Sequence, residues 1–235
     1  MLQVKRVSQV TFLHSEALGR IPRIVHAFST RQGERNDFLA AVGVPGWPVM
    51  KLKQVHSGIV CEMHDTTAAN DPVEGDAAVT ALAGVVLAIQ TADCVPILLA
   101  DFQLRAVAAI HAGWRGTAAH ISEVTVRRLR EKFEIDPKNL TAFIGPHIGI
   151  CCYEVGAEVV QAITEPGAFE QRAEWAKPHL NLAEANRQQL LSSGIPAEQI
   201  ETSALCTHCR ADLFYSYRRE GNGSGRMLSV IGIAP

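Results

Sequence analysis

Hydrophobic positions along the chain fall into short runs whose length and borders predict mainly β-strands. Apolar runs at residues 85–89, 95–100 and 106–111 are bounded by polar or turn residues, as buried strands are. Further extended segments are predicted at residues 4–13, 24–29, 51–56, 60–63, 141–145, 200–205 and 226–233. Pro96, near the start of the second run, favours an edge strand or a strand beginning, because proline cannot donate to a ladder.

Helical spacing of apolar residues predicts several helices between these strands. Thr117 can cap a helix that runs to about Phe133, with one apolar face formed by Ile121, Val124, Leu129 and Phe133. Shorter helices are predicted near residues 37–42, 156–164 and 182–193. Because strands and helices are mixed without regular alternation, the pattern predicts an α+β fold with antiparallel or mixed sheets. No repeat or linker divides the chain, so we expect a single domain over residues 1–235.

Composition excludes several classes of partner. The chain has 235 residues, 47% of them hydrophobic and 20% charged, which is ordinary for a globular protein. A formal net charge of -2 gives no basic field for a nucleic-acid backbone. The apolar runs are far shorter than the roughly 20 residues of a membrane-spanning helix, and the N-terminus lacks the apolar segment of a signal peptide. We therefore expect no nucleic-acid or membrane partner and a cytoplasmic location.

Three residues with metal-binding side chains stand where predicted strands give way to turns. His56 ends one extended segment, Cys94 lies between two apolar runs, and His111 ends the next run. Two imidazoles and one thiolate suit Zn²⁺, with copper as the alternative. Three protein ligands would leave a position for water or substrate, which is typical of a catalytic site.

The same residues allow a second interpretation that needs no metal. Cys94 and His111 can form a nucleophile and base, with Asp93 or another carboxylate orienting the imidazole ring. A chelator would abolish activity only if Cys94 is a metal ligand. A catalytic thiolate would be blocked by alkylation and would be indifferent to chelators.

The segment H-A-G-W-R-G at residues 111–116 indicates an anion site. Its two glycines allow close approach of the backbone, the following helix offers free N–H groups, and Arg115 adds a planar cation. The alternative is a tight connection in which Trp114 is packed and Arg115 is solvated.

Four other cysteines could also bind metal. Cys206 and Cys209 have the C-x-x-C spacing of a zinc knuckle, and Cys151 and Cys152 are adjacent. Because adjacent cysteines are poor partners for one tetrahedral ion, we expect these four side chains to serve in packing.

The chain resembles the YfiH-type family over nearly its whole length. The motifs that carry the resemblance are F-S-T-R at 28–31, K-Q-V-H at 53–56, G-D-A at 75–77, T-A-D-C-V-P at 91–96, H-A-G-W-R-G at 111–116, I-G-P at 144–146, C-Y-E-V at 152–155 and F-Y-S-Y-R-R at 214–219. One departure is segment 32–53, which is shorter here than is usual in the family.

The resemblance implies a function, a ligand set and a fold. It implies a purine nucleoside phosphorylase, a transferase acting on adenosine, inosine or methylthioadenosine with phosphate, together with adenosine deaminase activity, which is hydrolytic. The family's metal ligands correspond to His56, Cys94 and His111. Its fold resembles that of toxin-type cysteine hydrolases, with mixed sheets packed between helices in an α-β-β-α sandwich. Laccase-like polyphenol oxidation and editing of peptidoglycan precursors are also attributed to the family.

The leading hypothesis is therefore a zinc-dependent purine nucleoside phosphorylase whose partners are a nucleoside and phosphate. Arg115, with Arg31 or Arg218, is expected to neutralise the phosphate dianion, and Gln54 is a further expected substrate contact. Asp93 is either a proton carrier or the partner of a ligand histidine.

Three other functions remain as alternatives. The first is an amidase that edits peptidoglycan precursors, with Cys94 as nucleophile or with metal-bound water. The second is a copper-dependent polyphenol oxidoreductase, and the third is a metal-binding protein without catalytic activity.

Overall fold

Two β-sheets packed face to face form the centre of the structure, a computed structural model that describes residues 2–235. The first sheet has seven strands in the order β1-β2-β3-β15-β8-β4-β6. Their bounds are Leu2–Val7 (β1), Val10–Ser15 (β2), Ile24–Ser29 (β3), Met227–Ile233 (β15), Val86–Thr91 (β8), Val49–Lys53 (β4) and Val73–Glu74 (β6). Most pairs are antiparallel, but β4 runs parallel to both β8 and β6.

The second sheet has six strands in the order β14-β11-β9-β10-β7-β5. Their bounds are Ile200–Thr202 (β14), Leu140–Ile144 (β11), Val95–Asp101 (β9), Val107–Ala112 (β10), Ala77–Thr80 (β7) and Val60–Glu62 (β5). Strands β9 and β10 are buried at every position, which explains why their sequences read as continuous apolar runs rather than as an alternation. A short antiparallel pair, Phe169–Glu170 (β12) and His179–Leu180 (β13), lies outside both sheets.

The longest helices cover the outer faces of the two sheets. The bounds of the helices are Glu16–Gly19 (α1), Arg35–Val42 (α2), Trp114–Ala118 (α3), Ile121–Phe133 (α4), Ala157–Ala162 (α5), Leu182–Ser192 (α6) and Tyr217–Glu220 (α7). Helix α2 packs Phe38 and Leu39 on the outer face of the seven-stranded sheet. Helices α4 and α6 cover the six-stranded sheet with residues that include Leu129 and Leu190.

Between the sheets lies a third cluster of buried residues, which includes Leu87 and Ile231 from one sheet and Leu98 and Phe143 from the other. The order of layers is therefore helix, sheet, sheet, helix. The predicted α+β class with mixed sheets is confirmed. Within residues 2–235, no helix combines the length and the apolar character needed to span a lipid bilayer.

Two predicted elements are wrong in detail. The extended segment 4–13 is a hairpin of β1 and β2, because Ser8 turns the chain with a left-handed φ of 55°. Thr117 is not a helix cap: it lies inside α3, where its Oγ1 accepts a hydrogen bond from Asn186 at 2.8 Å. The helix predicted to Phe133 is interrupted at His120, whose left-handed φ of 55° separates α3 from α4.

Pro96 was predicted to lie on an edge strand or at a strand beginning, and the structure shows the second. It is the second residue of β9, which lies between β10 and β11 and is not an edge strand. A proline at the beginning of an inner strand removes a donor only where the ladder starts.

Phe143 tests the importance of packing between the sheets. Its ring is 1% exposed and lies 5.4 Å, centroid to centroid, from Phe28 of the other sheet. We expect Phe143→Ala to lower the free energy of unfolding in urea by about 3–5 kcal/mol, because a large cavity would remain. The control is Phe102→Ala, whose side chain is 47% exposed. A loss of similar size in the control would contradict this assignment.

Candidate metal centre and its cleft

His56, Cys94 and His111 come together at one end of the two sheets. Their ligand atoms all lie within 4.8 Å of one another. The Cys94 Sγ is 3.9 Å from the His56 Nε2, and the centroids of the two imidazole rings are 4.8 Å apart. His56 is exposed, Cys94 is half-buried and His111 is buried, so the cluster is open on one side.

The antiparallel pairing of β9 and β10 accounts for the proximity of Cys94 and His111. His111 is opposite Pro96 in the register, and Cys94 immediately precedes the start of β9. His56 reaches the same place from the loop after β4, with a left-handed φ of 59°. Asp93, before Cys94, also has a left-handed φ, of 86°. Two of the three candidate ligands, His56 and Cys94, therefore lie at or next to a residue in the sparsely populated left-handed backbone region.

Asp76 connects two of the candidate ligands. Its Oδ1 is 2.8 Å from the His111 Nδ1 and accepts the His56 N–H at 3.0 Å. Its Oδ2 accepts the Val55 N–H at 3.2 Å, the Ser57 N–H at 2.6 Å and the Ser57 hydroxyl at 2.7 Å. A proton on Nδ1 leaves the Nε2 lone pair of His111 available to a metal. One buried carboxylate thus shapes the His56 turn and fixes the orientation of the His111 ring.

Gly113 leaves room for this arrangement. A Cβ at this position would stand 2.9 Å from the His56 Cδ2 and 3.1 Å from the Cys94 Sγ. The backbone at residue 113 must therefore approach the cluster without a side chain. The groups that the backbone approaches here are His56 and Cys94, and approach to an anion stays a prediction.

The charges of the three groups are strongly coupled. Burial raises the pKa of the Cys94 thiol, but the His111 and His56 rings together lower that pKa to about 6. Burial lowers the pKa of His111, whereas Cys94 and Asp76 raise it to about 9. Burial also raises the pKa of Asp76, but hydrogen bonds from His111 and Ser57 hold it well below its usual range. Without metal, Cys94 and His111 therefore form a thiolate–imidazolium pair between about pH 6 and about pH 9.

Asp93 does not have the environment that was predicted for a partner of a ligand histidine. Its Oδ1 accepts the Thr207 hydroxyl at 2.6 Å, and its Oδ2 accepts the Ser216 hydroxyl at 3.0 Å and the Arg218 N–H at 2.7 Å. The carboxylate that binds His111 is Asp76, so that part of the expectation for Asp93 is wrong. The role of Asp93 as a proton carrier stays a prediction.

A cleft of about 650 Å³ opens beside the three residues. It is lined by His56, Cys94 and His111 together with Leu52, Gln54, Gln90, Ala92, Asp93, Trp114, Arg115, Ile148, Tyr153, Leu182, Tyr217, Arg218 and Arg226. Two of its arginines lie over aromatic rings: the Arg115 guanidinium is 4.2 Å from the centroid of Trp114, and that of Arg218 is 5.2 Å from Tyr153. Cationic and aromatic surfaces therefore share the cleft.

Gln54, predicted to contact substrate, lines the cleft, whereas Arg31, also predicted to do so, does not. The Gln54 amide donates to the Gln90 carbonyl at 2.8 Å and accepts the Gln90 N–H at 2.7 Å, which leaves it in the wall of the cleft. Arg31 donates to the Ala211 carbonyl at 2.8 Å and lies 4.8 Å from the Tyr215 ring centroid. The guanidinium of Arg31 thus braces the C-terminal segment, and Arg31 is not among the residues that line the cleft.

The donor set fits a single metal ion. A thiolate and two imidazoles are zinc ligands, and Asp76 supplies the carboxylate that commonly orients a ligand histidine. Sequence reasoning missed Asp76 and the cleft aromatics Tyr153 and Tyr217. The signal for Asp76 was its position in the G-D-A motif directly before β7.

Comparison with known proteins adds family relationships to this geometry. Residues 29–234 match a family model described as multi-copper polyphenol oxidoreductase laccase. A purine nucleoside phosphorylase from Bacteroides thetaiotaomicron is 44% identical over 164 residues, which cover 67% of this chain and 60% of that relative. An adenosine deaminase from an unknown prokaryotic organism is 40% identical over 162 residues, which cover 66% of this chain and 61% of the relative.

The chain thus spans about three-fifths of the length of each of these curated relatives. A solved structure, that of the Bacillus licheniformis hypothetical protein YfiH, superimposes with a TM-score of 0.86 at 28% identity. It covers 98% of both chains, so the two proteins share the entire architecture described above.

Asp76→Asn should weaken metal binding without a change of side-chain size. The amide would place a donor among the N–H groups of residues 55–57 and the Nδ1 of His111. We expect zinc affinity, measured by competition with a chromogenic chelator, to fall roughly 10–100-fold. Asp71→Asn, at an exposed position, is the control. Equal affinities for the two variants would refute the orienting role of Asp76.

The coupling of Cys94 and His111 can be measured by alkylation of metal-free protein. We expect the rate of Cys94 modification by iodoacetamide to rise with pH around a midpoint near 6, because the thiolate forms there. In His111→Ala the midpoint should move upward, because burial still raises the pKa of the thiol and the His111 ring no longer offsets it. His64→Ala, a change of an exposed histidine, is the control. Peptide mass spectrometry identifies the modified cysteine, and a wild-type midpoint above 8 would rule out the coupling.

Proposed function

Because the chain belongs to the family described as multi-copper polyphenol oxidoreductase laccase, which includes YfiH-type proteins, we propose that it is a zinc-dependent purine nucleoside phosphorylase. Membership confirms the resemblance drawn from the sequence motifs. The proposed substrates are adenosine, inosine or methylthioadenosine, with inorganic phosphate as the second substrate. The relative named purine nucleoside phosphorylase supports this choice among the family's activities.

One observation carries the proposal: the donor cluster of His56, Cys94 and His111 shares a cleft with Arg115 and Arg218. A phosphate dianion needs concentrated positive charge in a partly desolvated place. The two guanidinium groups lie at the cleft wall, each over an aromatic ring. Trp114 and Tyr153 also offer flat apolar surfaces, which suit a purine base.

The reaction requires an anion beside the sugar. In phosphorolysis, a phosphate oxygen forms a bond to the anomeric carbon while the bond from that carbon to the purine nitrogen breaks. The purine leaves with the electron pair of that bond and takes up a proton. Because the sugar is cation-like in the transition state, a phosphate held close to it lowers the barrier electrostatically.

Each residue of the cleft has a proposed part in this reaction. Arg115 and Arg218 bind and orient the phosphate, while His56, Cys94 and His111 would hold the zinc ion. When bound, zinc supplies a positive charge that polarises an oxygen ligand and lowers the pKa of bound water. Asp76 keeps the Nε2 lone pair of His111 directed away from its own carboxylate.

The proton that the purine takes up needs a carrier, and Asp93 is the proposed one. It lines the cleft beside Cys94, and its two oxygens are held in place by Thr207, Ser216 and the backbone of Arg218. These contacts also give Asp93 a positioning role, because they connect the Cys94 turn to the backbone of Arg218.

Adenosine deamination is a second candidate activity of the same centre. The relative named adenosine deaminase is the observation that favours it. The ion that His56, Cys94 and His111 would hold could lower the pKa of water for this hydrolysis. Peptidoglycan editing and copper-dependent oxidation stay predictions.

Phosphorolysis can be tested with inosine in the presence and absence of phosphate, with hypoxanthine followed by chromatography. We expect release only with phosphate, and a loss of at least 100-fold in His56→Ala, Cys94→Ala and His111→Ala, since each removes one ligand. Arg115→Ala should raise the KM for phosphate roughly tenfold, the effect of about 1.4 kcal/mol of binding.

Arg127→Ala is the matched control, because Arg127 is an exposed arginine on α4 outside the cleft. It should leave both kinetic constants unchanged. Hypoxanthine release that needs no phosphate, or that persists in all three ligand variants, would refute the proposal. Elemental analysis of protein purified without added metal distinguishes zinc from copper at this centre, when the wild type is compared with His56→Ala/His111→Ala.

A further inference from the structure

We propose that Cys151, Cys152, Cys206 and Cys209 form a second metal site, which binds one Zn²⁺ through four thiolates. The four Sγ atoms all lie within 4.8 Å of one another, although they come from two segments more than 50 residues apart in the sequence. This site is separate from the donor cluster of the cleft, and it does not depend on the function proposed above. The expectation that these cysteines serve only in packing is therefore replaced.

The spacing of the sulfur atoms suits tetrahedral zinc. The Cys209 Sγ lies 3.7 Å from the Cys151 Sγ and 3.4 Å from the Cys152 Sγ. Four thiolates with Zn–S bonds of about 2.3 Å stand about 3.8 Å apart in a tetrahedron. Small side-chain movements would therefore bring all four atoms into coordination. Adjacent cysteines can serve together here because the second segment supplies both remaining ligands.

Exposure also argues against a packing role. Cys151 and Cys209 are exposed, while Cys152 and Cys206 are half-buried. Cysteines that only fill a core are among the most buried residues. A cluster of four thiols at the surface has no hydrophobic reason to assemble, whereas metal coordination requires such a cluster to be accessible to the ion.

The backbone around the cluster is arranged as it is around thiolate ligands. The Gly149 N–H donates a hydrogen bond to the Cys206 Sγ at 3.1 Å, a contact that stabilises a thiolate. A Cβ on Gly149 would stand 3.2 Å from the Cys151 Sγ and 3.2 Å from the Cys206 Cβ. This glycine thus gives the chain room to pass close to both sulfur-bearing residues.

Hydrogen bonds from Arg219 and to the backbone of His147 hold the second segment in place. The Arg219 guanidinium donates to the carbonyls of Thr207 at 3.0 Å and His208 at 2.7 Å, inside the C-x-x-C turn. The Thr207 N–H donates to the His147 carbonyl at 2.8 Å, which ties the turn to the chain that leads into the Cys151 segment. The fold therefore brings all four ligands close together before any ion binds, and binding requires small side-chain movements and the loss of thiol protons to solvent.

The second site would brace one wall of the cleft. Tyr153, which lines the cleft, directly follows Cys152. Thr207, inside the C-x-x-C turn, donates to Asp93 beside Cys94. An ion that joins the two segments would restrict both connections, so its role is structural, as expected for a four-cysteine site with no open position.

Metal analysis of the full chain tests the proposal. We expect protein purified under reducing conditions without added metal to contain one zinc per chain at this site, in addition to any ion in the cleft. The double variant Cys206→Ser/Cys209→Ser should lose one equivalent relative to wild type. Cys61→Ser removes a half-buried free cysteine elsewhere and should lose none. The double variant His56→Ala/His111→Ala should keep the proposed ion, whatever the cleft binds.

X-ray absorption at the zinc edge of the His56→Ala/His111→Ala protein gives a readout that does not depend on stability or activity. Four sulfur neighbours at about 2.3 Å are expected. If Cys206→Ser/Cys209→Ser fails to fold, the same spectrum still decides the matter. Absence of zinc from the His56→Ala/His111→Ala protein, a disulfide within the cluster in freshly reduced protein, or an iron–sulfur chromophore would each overturn the assignment.

Discussion

The geometry of the cleft centre depends on the carboxylate of Asp76. It is fully buried, and it accepts hydrogen bonds from the backbone of three consecutive residues, 55–57, as well as contacting the His111 ring. A buried carboxylate is costly unless donors surround it. The N–H groups that satisfy Asp76 belong to the left-handed turn at His56. The hydrogen bonds that offset the cost of burying the carboxylate therefore also fix the shape of the site. Loss of this carboxylate would remove the hydrogen bond that orients the His111 ring and the bond that shapes the backbone at His56.

The two sheets determine where this interaction can occur. Strands β9 and β10 carry Cys94 and His111 to one end of the six-stranded sheet, while β4 of the seven-stranded sheet leads to His56. The cleft therefore lies where the ends of both sheets meet. Packing of the sheets through residues such as Leu98 and Ile231 keeps those ends at a constant separation. A site assembled across two layers depends on the whole core more than a site within one loop would.

Much of the fold could be predicted from hydrophobic patterning, since strands such as β3 and β9 have clear apolar runs and sharp borders. The positions of His56, Cys94 and His111 at strand ends were also readable. Long-range contacts could not be predicted from the sequence. Nothing in the local pattern shows that Asp76 faces His111, that Arg31 turns to the C-terminal segment, or that Thr117 pairs with Asn186. These contacts depend on how distant segments meet, and a single sequence carries no direct record of that.

The backbone at His56 and Asp93 has a consequence for the choice of ion. Both residues adopt left-handed φ values, of 59° and 86°, which most side chains avoid. The free-energy cost of these two backbone conformations is met during folding, so ion binding does not have to offset it. A stiff arrangement of donors would favour ions whose preferred geometry matches the positions of the three side chains. Discrimination between metals would then be a property of the folded backbone as much as of the ligand atoms.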